Sequence, residues 1–175
     1  MEKWDTYTRD YKLTDRVIIR NEERIPDGLF HIVSEVLVRH RDGSYLLMKR
    51  AKTKSQYPDY YEATAGGSAL QGENAYDCVK RELFEETGIK CDDFYEVAFH
   101  TIDRGHAFFH SFICEVDCDK SSVSLLEGET EDYKWVSEQE FIDFINSEDV
   151  IDTQKGRYYV YFQSMGYIKT KYGHT

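Results

Sequence analysis

An α/β sandwich built on a mixed β-sheet is the fold class this sequence predicts. Strand-like runs come first in the chain, and helical periodicity then alternates with further strands. The length, 175 residues, suits one core. A chain of this size buries roughly 70% of its extended surface, enough to stabilise itself without disulfides or a structural metal. Apolar residues at 41% and charged residues at 31% describe a globular chain.

The elements follow in order. Trp4 to about Arg20 alternates weakly between polar and apolar residues and predicts a short hairpin. Ile25-Pro26-Asp27-Gly28 is a turn by its proline and glycine chemistry. Residues 29–40, LFHIVSEVLVRH, are rich in β-branched side chains and predict a strand. Arg41-Asp42-Gly43-Ser44 carries the Asp-Gly signal of a tight hairpin, with YLLMKR (residues 45–50) as the returning strand. A polar loop over 51–60 leads to the short run YYEATAGG.

From Glu73 to Thr87 the spacing of Ala75, Cys78, Val79 and Leu83 predicts a helix, and Gly88 sits where a helix stop belongs. Residues 93–103 and 106–118 predict two more strands, and 129–136 another. Ser137-Glu138-Gln139-Glu140 is a capping-box signature that opens a second helix through Phe141, Phe144 and Ile145. A third helix is predicted from about Thr153 to Met165, stopped by Gly166. Residues 1–28 form an amino-terminal extension, and residues 29–175 form the single globular unit.

Composition limits the partners. The formal charge is −11, from 33 acidic against 22 basic residues. That argues against a nucleic-acid polymer or an anionic membrane, both of which need a basic face. The amino terminus has no apolar signal-peptide core, and no apolar run approaches the ~18 residues of a membrane span. Cys78, Cys91, Cys114 and Cys118 show neither a CxxC pair nor zinc spacing, so buried free thiols in a reducing cytoplasm are expected.

The chemistry concentrates between Gly67 and Ile89, GSALQGENAYDCVKRELFEETGI. A glycine-rich loop, Gly66-Gly67 through Gly72, delivers the backbone into the helix. On that helix Glu82, Glu85 and Glu86 lie three and four residues apart and share a face. Like charges so close oppose helix formation by a few tenths of a kcal/mol per pair. Arg81 offsets only part of that repulsion. Carboxylate oxygens without thiolate or imidazole favour hard cations, Mg²⁺ or Mn²⁺. Such ions reconcile an acidic site with an anionic small-molecule substrate, because they share their positions with substrate phosphates.

The whole segment matches Gx5Ex7REUxEExGU, with U a bulky aliphatic residue, at Gly67, Glu73, Arg81, Glu82, Leu83, Glu85, Glu86, Gly88 and Ile89. It resembles the Nudix family, with every position of that family's box filled. The resemblance implies an α/β/α sandwich and hydrolysis of a diphosphate linked to a further moiety, usually with a nucleoside attached. It implies Mg²⁺ or Mn²⁺ as the cofactor. Carried across, Glu82, Glu85 and Glu86 match the metal-binding glutamates, and either Glu82 or Glu85 takes a proton from the attacking water. Arg81 would orient a neighbouring carboxylate, and Glu73 would tie the loop to the helix. Gly67, with Gly66, would let a backbone carbonyl reach the metals. The resemblance also leans toward a homodimer, since amino-terminal extensions in the family sometimes exchange between subunits.

Outside the box, Arg50 is a candidate for a bidentate phosphate contact, and Tyr57, with Tyr60 and Tyr61, for stacking on a base. Glu129 is the candidate for one more carboxylate, ahead of Glu127 and Glu131. His100, His106 and His110 read as strand histidines, not ligands. Two other readings compete. WDxY near the start, IPxGxxH ending at His31, Lys49-Arg50 and Tyr57-Pro58 resemble the isopentenyl-diphosphate isomerase branch of the family. That chemistry needs a cysteine and a metal-binding histidine where this chain has Gly66 and Ser68, and it goes with a degraded box. A non-catalytic nucleotide-binding sensor is the third class, disfavoured because such domains usually lose box carboxylates.

Overall fold

The computed structural model describes residues 1–168. Within them, nine strands and four α-helices follow in chain order, with one 3₁₀ turn at Lys120–Ser122. They are β1 (Lys3–Thr8), β2 (Leu13–Ile19), β3 (Leu29–His40), β4 (Tyr45–Arg50), β5 (Tyr61–Glu62) and β6 (Thr64–Ser68). Helix α1 (Ala75–Thr87) separates these from β7 (Tyr95–Ile102), β8 (Ala107–Val116) and β9 (Thr130–Val136). Then come α2 (Glu138–Ile145), α3 (Asp152–Arg157) and α4 (Tyr159–Ser164).

β3 organises the sheet. Along one edge it runs parallel to β8 from His31↔Ala107 to His40↔Val116. Along its other edge it meets β1, β6 and β4 in succession, all antiparallel. The sheet is therefore mixed, as the order of elements predicted. β9 pairs with β4 and β7 with β8, both antiparallel. The β1–β2 hairpin is joined to β3 of its own chain through Tyr7↔Phe30 and Thr8↔Leu29.

A sheet with both faces apolar needs a cover on each, and the sequence supplies two kinds. On one side α1 lays Val79 and Leu83 against Val36, Val38, Ala65, Phe112 and Cys114. On the other, α2 and the last two helices bury Phe141, Ile145, Tyr158 and Phe162 against Leu37, Tyr45 and Leu47. Tyr45, fully buried, stacks on Phe141 at 4.1 Å between ring centroids. Burying each such side chain contributes roughly 1.5–3 kcal/mol.

Two predicted helices differ from the sequence reading. α1 starts at Ala75, two residues later than Glu73, because Asn74 caps it by accepting the amides of Tyr76 and Asp77. Gly88 closes it in the left-handed region (φ 72°), donating to Phe84 O, as expected of a helix stop. The single helix expected over 153–165 is two short ones, broken at Tyr158 (φ −94°, ψ 6°). The Tyr158 hydroxyl is drawn into the sheet, where it donates to Phe112 O at 2.8 Å, and the bend lets it reach. The capping box at Ser137 and Glu140 is present with both reciprocal hydrogen bonds. Of the cysteines, Cys78 and Cys114 are buried, whereas Cys91 and Cys118 are only partly so.

β6 is built from residues that must be small. Gly66 faces Glu35 across the β3–β6 ladder, and a Cβ there would fall 2.6 Å from Glu35 Cα and closer still to the Ser34 carbonyl. Backbone cannot yield as a side chain can. Gly66→Ala is therefore expected to cost about 3 kcal/mol, which for a domain of this size lowers Tm by roughly 10 °C. A melting curve close to that of the wild type would overturn that.

Candidate active site

The α1 helix and the β6 loop before it are locked together by one guanidinium. Arg81 donates through Nε and Nη2 to the two oxygens of Glu73, at 2.7 and 2.9 Å. Its Nη1 donates to Glu82 (2.7 Å) and Glu85 (2.9 Å), and Nη2 reaches Ser68 O at 3.1 Å. Glu73 in turn accepts the Leu70 amide at 2.9 Å. These contacts, Glu73's first, push the Arg81 pKa further up. Burial pushes the Glu73 carboxyl upward, but Arg81 and the Leu70 amide outweigh it and hold it below its ordinary value.

Gly67 lies against Glu82. A Cβ there would sit 2.6 Å from the Glu82 carboxyl carbon, so glycine lets the carboxylate rest on the loop. The Gly67 carbonyl accepts the Cys78 thiol at 3.4 Å. Burial raises the Glu82 carboxyl above its usual range despite Arg81. Glu85, by contrast, is 49% exposed. Leu83 and Ile89 are core residues.

Glu86 points the other way, into a polar cavity of about 160 Å³. Its carboxylate accepts the Gly66 amide at 3.0 Å. Burial raises its pKa well above the ordinary carboxylate value, and Glu62, Glu82 and Glu129 push it further. Glu62, Glu129, Glu35, Arg50, Lys54, Thr130, Phe109 and Arg157 also line this cavity. The acidic and basic groups pair around the rim. Arg50 donates from Nη1 to both oxygens of Glu62 (2.9 and 3.1 Å), and Lys54 binds Glu129. Arg157 forms a bidentate pair with Glu35, both bonds 2.6 Å, while its guanidinium covers the Phe109 ring at 4.5 Å. Ser111 completes the set by donating to Glu35 at 2.7 Å.

The predicted residues thus fall into two groups. Glu73, Glu82 and Glu85 are gathered by Arg81, and Glu86, Arg50 and Glu129 meet in the cavity. Tyr57 is not among the lining residues; it stands 41% exposed with φ 49°, edge-on to Tyr60. His106 lies in the β7–β8 turn, not on a strand. His31 is buried and stacked on Trp4 at 4.4 Å, and burial lowers its pKa to about 4, which keeps it neutral. Sequence reasoning missed Glu62, Lys54, Glu35 and Arg157. A lone carboxylate inside an apolar strand was the available signal for Glu35; Glu62, on the two-residue β5, offered none.

The donor chemistry fits a hard divalent cation. Glu62, Glu82 and Glu129 all raise the charge cost of Glu86, which lines a cavity edged by the Gly66 backbone. As the side chains stand, no three His, Cys, Asp or Glu among the described residues are grouped closely enough to hold an ion. Arg81 occupies Glu82 and Glu85 instead.

The NUDIX domain model matches residues 29–157. An uncharacterized Nudix hydrolase of Listeria monocytogenes is 32% identical over 140 residues, covering 80% of this chain and 82% of that protein. One of Listeria innocua is 31% identical over 139 residues, covering 79% and 82%. Among solved structures, a Deinococcus radiodurans protein superposes with a TM-score of 0.70 at 16% identity, covering 91% of this chain and 99% of that one. A MutT protein of Methanosarcina mazei gives 0.60 at 22% identity, covering 78% and 95%.

Proposed function

The chain belongs to the Nudix hydrolase family, and on that premise we propose that it cleaves a nucleoside diphosphate joined to a second moiety, with water attacking phosphorus under Mg²⁺ or Mn²⁺. Hydrolysis of nucleoside diphosphate derivatives is the family's reaction, and this chain is a pyrophosphohydrolase of that kind. The observation that carries the finer reading is Glu86, a carboxylate crowded by three others at a polar cavity edged by the Gly66 backbone.

Glu82, Glu85 and Glu86, with the Gly67 carbonyl, are the residues that would hold the ions. A divalent cation bound there supplies charge neutralisation for the diphosphate and acidifies a bound water. Glu82 or Glu85 receives the proton of the attacking water. Arg81 fixes the directions of both carboxylates, and Glu73 fixes Arg81. Arg50, Lys54 and Arg157 face the cavity and are the cations for phosphate oxygens, while Glu129 adds a carboxylate from outside the helix.

Size supports the division between common and variable parts of the substrate. The cavity, about 160 Å³, is well below the ~300–1,000 Å³ of pockets that enclose a whole drug-sized ligand. That size suits the diphosphate, and the attached moiety would be read by loops such as 51–60 and 103–107. The hairpin of residues 1–28 is an appendage to a hydrolase domain spanning 29–175. The isomerase reading gains nothing, since Gly66 has no side chain and its amide is committed to Glu86. Among the described residues no helix is long and apolar enough to cross a membrane.

The test is a phosphate-release screen with Mg²⁺ or Mn²⁺ over nucleoside di- and triphosphates, nucleotide sugars, dinucleoside polyphosphates and coenzyme A. Isopentenyl diphosphate runs in parallel with its products analysed separately. Turnover of one nucleotide class that vanishes with chelator is expected. Tight binding of one ligand without turnover of any would transfer the case to the sensor.

A further inference from the structure

The turn that leads into α1 satisfies only part of its own backbone. Leu70 O accepts the Glu73 amide at 2.9 Å, with Gly72 at the third position of the turn and φ 86°. The two central amides find their partners outside the turn, and both bonds go to β1. Gln71 N donates to Lys3 O at 2.8 Å, and Gly72 N donates to Asp5 Oδ2 at 2.7 Å. β1 pairs with β3 through Tyr7 and Thr8, so the stretch ahead of Tyr7 is where the turn docks. Tyr7 also packs against the cluster of Ile32, Ala69 and Cys78, which includes the residue just before the turn. The β1–β2 hairpin lies outside residues 29–157 of the domain match, so this brace comes from beyond the matched domain.

We propose that Asp5 is a positioning residue for the ion site: it holds the Leu70–Glu73 turn in place, and through Glu73 and Arg81 it sets the directions of Glu82 and Glu85.

The contacts run without a gap from the hairpin to the carboxylates. Glu73 ends the turn, accepts the Leu70 amide on Oε2 and takes Arg81 on both oxygens. Arg81 passes that position to Glu82 and Glu85 and reaches back to Ser68 O. Nothing stands within 4 Å of where a Cβ on Gly72 would lie, so packing does not fix the turn at that point and the Asp5 bond does. A carboxylate on a backbone amide is a charge-assisted bond, stronger than a neutral one. The brace is itself anchored, since the fully buried Thr6 donates to Arg16 O at 2.7 Å and ties β1 to β2. Outer partners of this kind orient ion ligands, and losing one weakens ion binding without touching the ligands themselves.

The inference rests on the ion-binding role given above to Glu82 and Glu85, and the test separates the two. Mn²⁺ alone is titrated into the full-length wild type, Asp5→Ala and Asp5→Asn, with binding read by electron paramagnetic resonance and a thermal melt run on each. Asp5→Ala is expected to raise the Mn²⁺ dissociation constant about fivefold, the equivalent of one net hydrogen bond. Its Tm should stay within about 2 °C of the wild type, as for most surface changes. Asp5→Asn keeps an oxygen for the Gly72 amide and is expected to bind Mn²⁺ like the wild type. Deuterium exchange in the metal-free protein should show the Gly72 amide exchanging faster in Asp5→Ala alone. Unchanged Mn²⁺ affinity or unchanged Gly72 exchange in Asp5→Ala would overturn the proposal. So would an Asp5→Asn protein as impaired as Asp5→Ala, or a loss of affinity matched by a collapse in Tm, which would make Asp5 structural. A wild type that binds no Mn²⁺ would overturn the ion-site reading itself, and this proposal with it.

Discussion

Replacing Glu86 by glutamine is expected to cut turnover by orders of magnitude while leaving the protein at least as stable as before. The introduced amide can still accept the Gly66 N–H through its carbonyl oxygen, so the hydrogen bond that orients the side chain survives. What disappears is one charge from a group crowded by Glu62, Glu82 and Glu129. Removing a partly buried charge that lacks its own cation relieves repulsion, so Tm should hold or rise. The catalytic loss is large because an ion site contributes several kcal/mol of charge stabilisation, and each ~1.4 kcal/mol is tenfold in rate. A fall of about 10²–10⁴ in kcat/KM follows. Steady-state kinetics on the substrate found in the screen, with a thermal melt alongside, checks both halves. Full activity would remove Glu86 from the machinery, and lost activity with a sharply lowered Tm would make it structural.

Arg157→Ala is expected to be the most destabilising single change among the cavity residues. Glu35 is 4% exposed, and two 2.6 Å bonds from Arg157 are its only ion-pair contacts among the described residues. Deleting the guanidinium leaves a buried carboxylate with Ser111 alone and uncovers the Phe109 ring. Breaking such a pair costs about 3–5 kcal/mol, or roughly 10 °C in Tm at this chain length. The cost is mostly the stranded charge. Glu35→Gln placed on the Arg157→Ala background should therefore recover a large part of the loss. If the double variant melts below the single one, the buried charge is not what Arg157 compensates.

Those two residues show where the sequence could and could not be read. Glu86 was legible because its surroundings are local. Apolar spacing set α1's inner face, and the fixed positions from Gly67 to Ile89 all lie on one loop and the helix it feeds. β3 and β4 were bounded to the residue, since an Asp-Gly turn between β-branched runs leaves little choice of register. Glu35 and Arg157 lie 122 residues apart, and no periodicity reports a pairing at that distance. Nor could spacing show that Tyr158 would abandon its helix for the Phe112 carbonyl, splitting one predicted helix into two. Propensity describes a segment; where tertiary contacts override it, as at Tyr158, the segment alone is silent.

Because β3 is paired with β8 from His31 to His40 on one edge and with β1, β6 and β4 in turn on the other, most of its amides are bonded inside the sheet. Those between Val33 and Leu37 have a strand on both edges and are not released by fraying at the sheet's margin. Deuterium should enter that stretch only when the entire molecule comes apart, whereas β5, two residues long, and the outer strand β7 exchange through local openings. One strand thus carries an internal gauge of global stability, against which the slowing of exchange in the cavity loops by a bound nucleotide can be measured in the same sample.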